Sequence, residues 1–334
     1  MTDVQLVSVV IPAYNAAETL DETLRSVRSQ SHHALEIIVV DDGSTDDTGT
    51  IAKRHAAIDD RVQVVTQENA GLAAARNEGW RHAQSDLIAF LDADDLWAPA
   101  KIERQIKALQ AGGLHVGLVY CWYVRIDSQS TITRVWEGPR SGGHVLEKIL
   151  AGNFVGNGSS VLVRRQALID ANGFDSGLRA AGAEGCEDWL FLCRVAEMYR
   201  YAVVPEHLIG YRYLPHNMSS NRPRMLRSWI LAHDQMLARQ PGHRDALSRG
   251  IRNYGGHLVQ DALSVRGFGH LPPLLLLLFR RYPSIAMKVL LKDIPAALIG
   301  KARARLRRQH SDTARSINAE SGQRFVIGDP DKCH

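Results

Sequence analysis

Val7-Ser-Val-Val-Ile-Pro-Ala-Tyr-Asn15 decides the fold. Five residues rich in valine and isoleucine stop at a proline and a polar turn, the pattern of a strand covered on both faces. Residues 35–40, 62–65 and 87–91 repeat it. Between these runs lie helical patterns: Leu20, Leu24 and Val27 share one face, and residues 71–83 are alanine-rich, with Gly79 their only breaker after Gly71. Pro99 opens a further helix, with Ile102, Ile106 and Leu109 on its apolar side. Strand and helix alternating at this spacing predict βαβ units and an α/β domain with a mostly parallel sheet flanked by helices.

Further along, shorter β-rich runs cover residues 116–124, 131–136 and 159–163. A helix is expected over 187–198, with strands over 201–204 and 208–214. Beyond Asn221 the chain reads as mainly helical to Gly300. The predicted organisation is therefore a catalytic-type domain over 1–220, a helical region over 221–300 and a basic, flexible tail over 301–334.

The 334 residues are 45% apolar and 23% charged, which excludes disorder for the bulk of the chain. Net charge is only +4, but residues 266–310 hold ten bases and one acid, so this segment carries +9 and the rest −5. Few aromatics are interleaved with these bases, which argues against nucleic acid. Four cysteines without CxxC spacing fit a reducing compartment. No basic n-region precedes the first strand, and the run 271–279 is too short to span a bilayer. The expected location is cytoplasmic, with the option of peripheral binding to the inner face of the cell membrane.

Chemistry concentrates where the first, second and fourth strands end: Pro12-Ala-Tyr14-Asn15, Asp41-Asp42-Gly-Ser-Thr-Asp46 and Asp92-Ala-Asp94-Asp95. In an open α/β sheet these ends converge on one crevice. The crevice offers carboxylates in place of the glycine fingerprint of dinucleotide sites, which excludes an NAD-type dehydrogenase. Carboxylates repel phosphate unless a divalent cation lies between them, and Asp92 with Asp94 suits Mg²⁺ or Mn²⁺. Taken alone, residues 42–46 read better as a turn and helix cap.

These motifs, with Asn69-Ala-Gly-Leu-Ala-Ala-Ala-Arg-Asn77, resemble the family-2 glycosyltransferases of GT-A fold over roughly residues 5–215. The resemblance implies an inverting transferase that uses a nucleotide-diphosphate sugar, a UDP-sugar being favoured, and a divalent metal. Pro12, Tyr14, Asn15 and Asp42 would then hold the nucleotide, Asp42 accepting from a uracil-like N–H. Asp92 and Asp94 would correspond to the DxD pair, with Arg76 approaching the donor. In Glu187-Asp188-Trp189 the aspartate matches the family's general base, and Glu187 would contact donor or acceptor. Arg212 or His216, in Tyr211-Arg-Tyr-Leu-Pro-His216, would reach the diphosphate, His216 completing the metal shell. A capping role for Asp188 and a solvent-facing loop role for His216 stand beside these readings. Trp80 and Trp97 are expected in the core.

The expected activity is sugar transfer to a hydroxyl of a glycan or lipid-linked glycan. Transfer to a polyprenyl phosphate and a non-catalytic nucleotide-sugar-binding subunit are the alternatives. For the basic apolar tail, amphipathic helices on an anionic membrane compete with a packed helical subdomain. Oligomeric state is not legible.

Overall fold

The computed structural model describes residues 5–214, 218, 221–264, 271–296, 299 and 322–328. β1 (Val7–Ala13), α1 (Leu20–Arg28), β2 (Leu35–Asp41), α2 (Thr48–Ala56), β3 (Val62–Thr66), α3 (Leu72–His82) and β4 (Leu87–Phe90) alternate as expected. β2 and β4 flank β1, β3 lies outside β2, and all three pairings are parallel. Successive residues of a strand point to opposite faces, which sorts the apolar residues into two cores. Val9, Ile11, Ile37 and Val39 pack with Leu20, Leu24 and Ala52, whereas Val10, Ile38 and Val40 face Ala75 of α3. Gly79 lets α3 lie close to the sheet, since a Cβ there would sit 2.3 Å from Cγ1 of Val10.

β5 (Leu96–Trp97), α4 (Lys101–Ala111), β6 (Val116–Ile126), β7 (Ile132–Trp136), α5 (Leu146–Leu150), β8 (Val161–Arg164), α6 (Arg165–Asp170), α7 (Gly177–Ala180), α8 (Glu187–Ala196) and β9 (Arg200–Arg212) complete the domain. The sheet order is β3-β2-β1-β4-β8-β6-β9-β5, with β7 beside β6. β8 is antiparallel to both β4 and β6, while β9 returns parallel to β6. The sheet is thus parallel through its first four strands and mixed beyond them. Where two strands were expected over 201–204 and 208–214, β9 is continuous. Its register against β6 shifts by two residues at Pro205 and Glu206, so the proline needs no ladder hydrogen bond.

The region after residue 220 is helical: α9 (Arg222–Arg239), α10 (Arg244–Ser264), α11 (Leu271–Arg281) and α12 (Pro283–Lys288). The Asn221 side chain caps α9 by accepting from the Arg224 N–H at 3.2 Å, and Pro223 sits in the first turn. Pro272 and Pro273 lie in the first turn of α11, where a missing N–H costs nothing. Trp229, Met236, Leu247, Ile251, Leu274 and Leu278 join the core that contains Val10 and Ile38. The opposite side of this region leaves Leu276, Phe279, Leu290 and Leu291 exposed. No helix among the described residues is long and apolar enough to cross a membrane.

Residues 322–328 return to the domain as a strap. Ile132 donates its N–H to Gln323 (2.7 Å), and Phe325 donates to the Ser130 carbonyl (2.8 Å). The Phe325 ring is buried with Leu96, Val124, Ile126 and Ile132. Arg324 meets Glu22 of α1 at 3.3 Å.

Candidate active site

The carboxyl ends of β1, β2 and β4 open into one large cleft, lined also by α8, α9 and α10. Reciprocal bonds join its first two loops. The Asn15 N–H donates to Ser44 Oγ (3.1 Å), and the Thr45 N–H donates to the Asn15 amide oxygen (2.9 Å). Asn15 adopts φ +48°, a left-handed conformation that asparagine tolerates better than most residues. Its side chain ties the two loops together, leaving Tyr14 beside it 52% exposed at the cleft mouth.

Asp42 is buried and saturated. Gln67 Nε2 (2.6 Å) and the Ala70 N–H (2.8 Å) donate to one oxygen, and the Gly71 N–H (2.8 Å) and Asn69 Nδ2 (3.2 Å) to the other. Four donors fill a carboxylate's accepting sites. Asp42 therefore shapes the loop between β3 and α3 as well as lining the cleft.

The acid loop divides its three carboxylates. Asp95 is wholly buried and accepts from Ser159 Oγ (2.6 Å) and the Arg212 N–H (2.9 Å). Asp92 and Asp94 line the cleft. Burial and the neighbouring Asp92 charge push the Asp94 carboxyl up to about 7. Two half-buried carboxylates repelling each other beside a cleft are the donor set that a hard divalent cation fits. Arg212 does not reach the cleft. Its guanidinium donates to the Asp94 carbonyl (2.8 Å), the Asp127 carbonyl (2.8 Å), Glu22 (2.8 Å) and Ser130 Oγ (3.1 Å). Where a diphosphate contact was expected, Arg212 braces the acid loop from beneath, each of its three guanidinium nitrogens already donating. His216 lies outside the described residues.

Arg76 projects from α3 into the base of the cleft, fully buried. It donates to Asp92 at 2.6 Å and lies 3.9 Å from Glu187. Burial alone would lower its pKa, but the charges of Asp92, Glu187 and Asp188 outweigh that and raise it. Its Nε and one terminal nitrogen have no hydrogen-bond partner among the described residues. Asn77, next along, is structural: its amide oxygen accepts from the Phe174 N–H and from Trp80, and its amide nitrogen donates to the Phe174 carbonyl. Trp97 is buried as expected, and Trp80 packs against the core.

Glu187 and Asp188 begin α8 on the facing wall. Glu187 accepts from the Gly185 N–H at 2.7 Å and so fixes the turn before the helix. Asp188 lines the cleft and, among the described residues, accepts only from the N–H of Trp189, at 2.6 Å. Burial, reinforced by Glu187, pushes its carboxyl up to about 7 against the pull of Arg76. A carboxyl poised near neutrality beside a cleft can take a proton from a bound hydroxyl.

Two parts of the cleft escaped sequence reading. Gly156-Asn157-Gly158 forms a turn with Gly156 at φ +99°, and a Cβ on Gly158 would meet Arg76 at 2.7 Å. Asn157 is buried at the cleft surface with neither amide atom partnered among the described residues. The flanking glycines were its only signal. The second part is an aromatic stack, Trp189–Trp229–Tyr254, with centroids 4.3 and 4.2 Å apart, which brings α9 and α10 to the cleft. No local pattern announces a contact formed by such distant segments.

Residues 8–171 match the family described as Glycosyl transferase family 2. A glycosyltransferase of Bacillus subtilis, TuaG, whose name refers to teichuronic acid biosynthesis, is 47% identical over 103 residues, 30% of this chain and 41% of that protein. An uncharacterized glycosyltransferase of Nostoc sp. is 30% identical over 214 residues, 62% of this chain and 64% of its own. The chain thus spans less than two thirds of either relative. Among solved structures, residues 1–349 of Staphylococcus aureus TarS in complex with UDP-GlcNAc superpose with a TM-score of 0.59 at 15% identity, covering 85% of this chain and 91% of that one. Mannosyltransferase PcManGT of Pyrobaculum calidifontis, in complex with GDP-Man and Mn2+, gives 0.54 at 20% identity, with 86% of each chain covered. At such identities these structures speak for the GT-A fold alone. Through the domain that carries the four sequence motifs, the chain belongs to glycosyl transferase family 2.

Proposed function

We propose that the protein is an inverting glycosyltransferase that moves a sugar from a nucleotide-diphosphate donor, UDP-linked by preference, to a hydroxyl of a glycan or lipid-linked glycan. The observation that carries this reading is the juxtaposition of the acid loop with Asp188 across one cleft, Arg76 and Glu187 lying between them.

The nucleotide lies along the ends of β1 and β2, its base near Tyr14 and Asp42. There a ring N–H exchanges with the weakest of Asp42's four donors, Asn69 Nδ2. Arg76 offers two guanidinium nitrogens without hydrogen-bond partners among the described residues toward the donor. Asp92 and Asp94 would hold a divalent cation, which when bound supplies Lewis-acid stabilisation of the leaving diphosphate. Asp188 removes the proton of the attacking hydroxyl, on the face opposite the departing nucleotide, so the anomeric configuration inverts. Glu187 keeps Asp188 protonatable near neutral pH and holds the turn that aims it. The basic, partly apolar outer side of α11 and α12 supports peripheral contact with an anionic membrane, where a lipid-linked acceptor would reside.

Calorimetric titration of UDP, GDP and dTDP, each with and without Mn²⁺, tests the donor half. Binding of one nucleotide only in the presence of metal is the expected result. Absence of binding by all three would overturn it.

A further inference from the structure

We propose that the acceptor carries an anionic group, recognised by Arg125 and Arg134 on the cleft-facing side of β6 and β7; this rests on the glycosyl-transfer reading. The two arginines stand directly opposite each other in the antiparallel ladder, and both line the cleft. Two guanidinium groups set opposite each other present donors that one anion can share. Elsewhere in the cleft Arg76 meets Asp92, and Arg179 and Arg224 both meet Glu184. Among the described residues no carboxylate pairs with Arg125. Its guanidinium instead lies over the Tyr213 ring, 4.8 Å from the centroid, which holds the planar group without neutralising it.

The path from the acid loop to this pair is continuous and suits a sugar chain. Asn157, next to Arg76, presents an amide without hydrogen-bond partners among the described residues, open to hydroxyl groups. Tyr123 packs on that turn, its ring edge 2.5 Å from where a Gly156 Cβ would be, and Tyr211 meets Tyr123 at 5.8 Å. Arg125 comes two residues after Tyr123, on the same face of β6, and registers with Tyr211 of β9. Aromatic surface thus separates the arginine pair from Asp92 and Asp94, so the pair reads the acceptor rather than the donor diphosphate. A carboxylate of a uronic acid and a phosphodiester of a polyol chain share the required chemistry, since guanidinium binds both in bidentate fashion.

The test uses the full chain saturated with UDP and Mn²⁺. The titrants are an oligogalacturonate trisaccharide, its neutral methyl ester and a glycerol-phosphate oligomer. Binding of either anion but not of the ester is expected, and the anion that binds names the source. Arg125→Gln with Arg134→Gln should weaken that binding by about tenfold or more while leaving UDP affinity within about twofold. The double lysine variant, which keeps charge but loses the fork, should fall between. Equal binding of acid and ester, or no anion binding by a protein that binds UDP, overturns the proposal. So does a double glutamine variant that loses UDP instead, which would assign the pair to the donor. If the unaltered protein binds no nucleotide, the donor reading fails by itself, and the anion titration still judges the arginine pair.

Discussion

The two walls of the cleft are made differently. The wall from β1, β2 and β4 consists of short motifs at strand ends that parallel pairing sets side by side. The facing wall draws on α8, α9, α10 and the 156–158 turn, and its residues meet only because a common core holds them. The difference extends to charge. In the first wall Asp42 is filled by four donors, and Asp95 is wholly buried on Ser159 and the Arg212 N–H, so both hold loops in place. In the second, Asp188 is left with one backbone donor among the described residues and a pKa near 7. A folded carboxylate with its full set of partners holds a loop in place; one deprived of them is available for proton transfer.

The largest test of this contrast is Asp188→Asn. Transfer should fall by roughly 10²–10⁴-fold, the usual worth of a general base, while nucleotide affinity stays within about twofold. Turnover near the unaltered rate would put Asp188 back among the helix caps. Asp94→Ala should abolish the Mn²⁺-dependent binding of nucleotide; a metal-dependent isotherm that survives would take Asp94 out of the ligand set. Trp229→Ala probes the facing wall. It should cost about 3–5 kcal/mol of stability, read by denaturant titration, because the stack loses its middle member. An effect below about 1 kcal/mol would mean that the helices merely lean on the domain.

A pH profile sharpens the same contrast. The raised Asp188 carboxyl is protonated below about pH 7 and charged above it, so kcat/KM should climb as pH rises through 7. Loss of that ascending limb in Asp188→Asn, measured on its residual rate, assigns the limb. The smallest effect concerns the exposed leucines of α11 and of the turn beyond α12. Leu276→Ser with Leu291→Ser should reduce co-sedimentation with anionic liposomes without changing UDP binding, as both side chains are exposed, Leu291 at 68%. Unchanged sedimentation would leave this region purely a packing element.

Legibility in the sequence divides along the same line. The parallel strands were legible because a strand covered on both faces must be apolar throughout, as residues 7–11 nearly are. Asp92, Asp94 and Asp188 were legible because acids at strand and helix ends are costly or purposeful. Arg212 was not: its motif suggested an anion, and only the fold shows Asp94, Asp127, Glu22 and Ser130 gathered around it from distant parts of the chain. Asn157 and the Trp229–Tyr254 stack were hidden for the same reason. Pro205 suggested a break that β9 absorbs as a register shift, something that depends on the strand beside it.

The strap over residues 322–328 gives the acid loop a timetable. Glu22, which holds Arg212 beneath Asp94, receives Arg324 from 302 positions later in the chain. At about 5–20 residues per second of synthesis, the motifs at the ends of β1, β2 and β4 therefore wait tens of seconds for that contact. During translation the donor wall has its strands and its carboxylates but lacks the last contact of its brace. A ribosome-bound chain stalled before residue 322 would be the place to see that interval, as a nucleotide site already formed and not yet clamped.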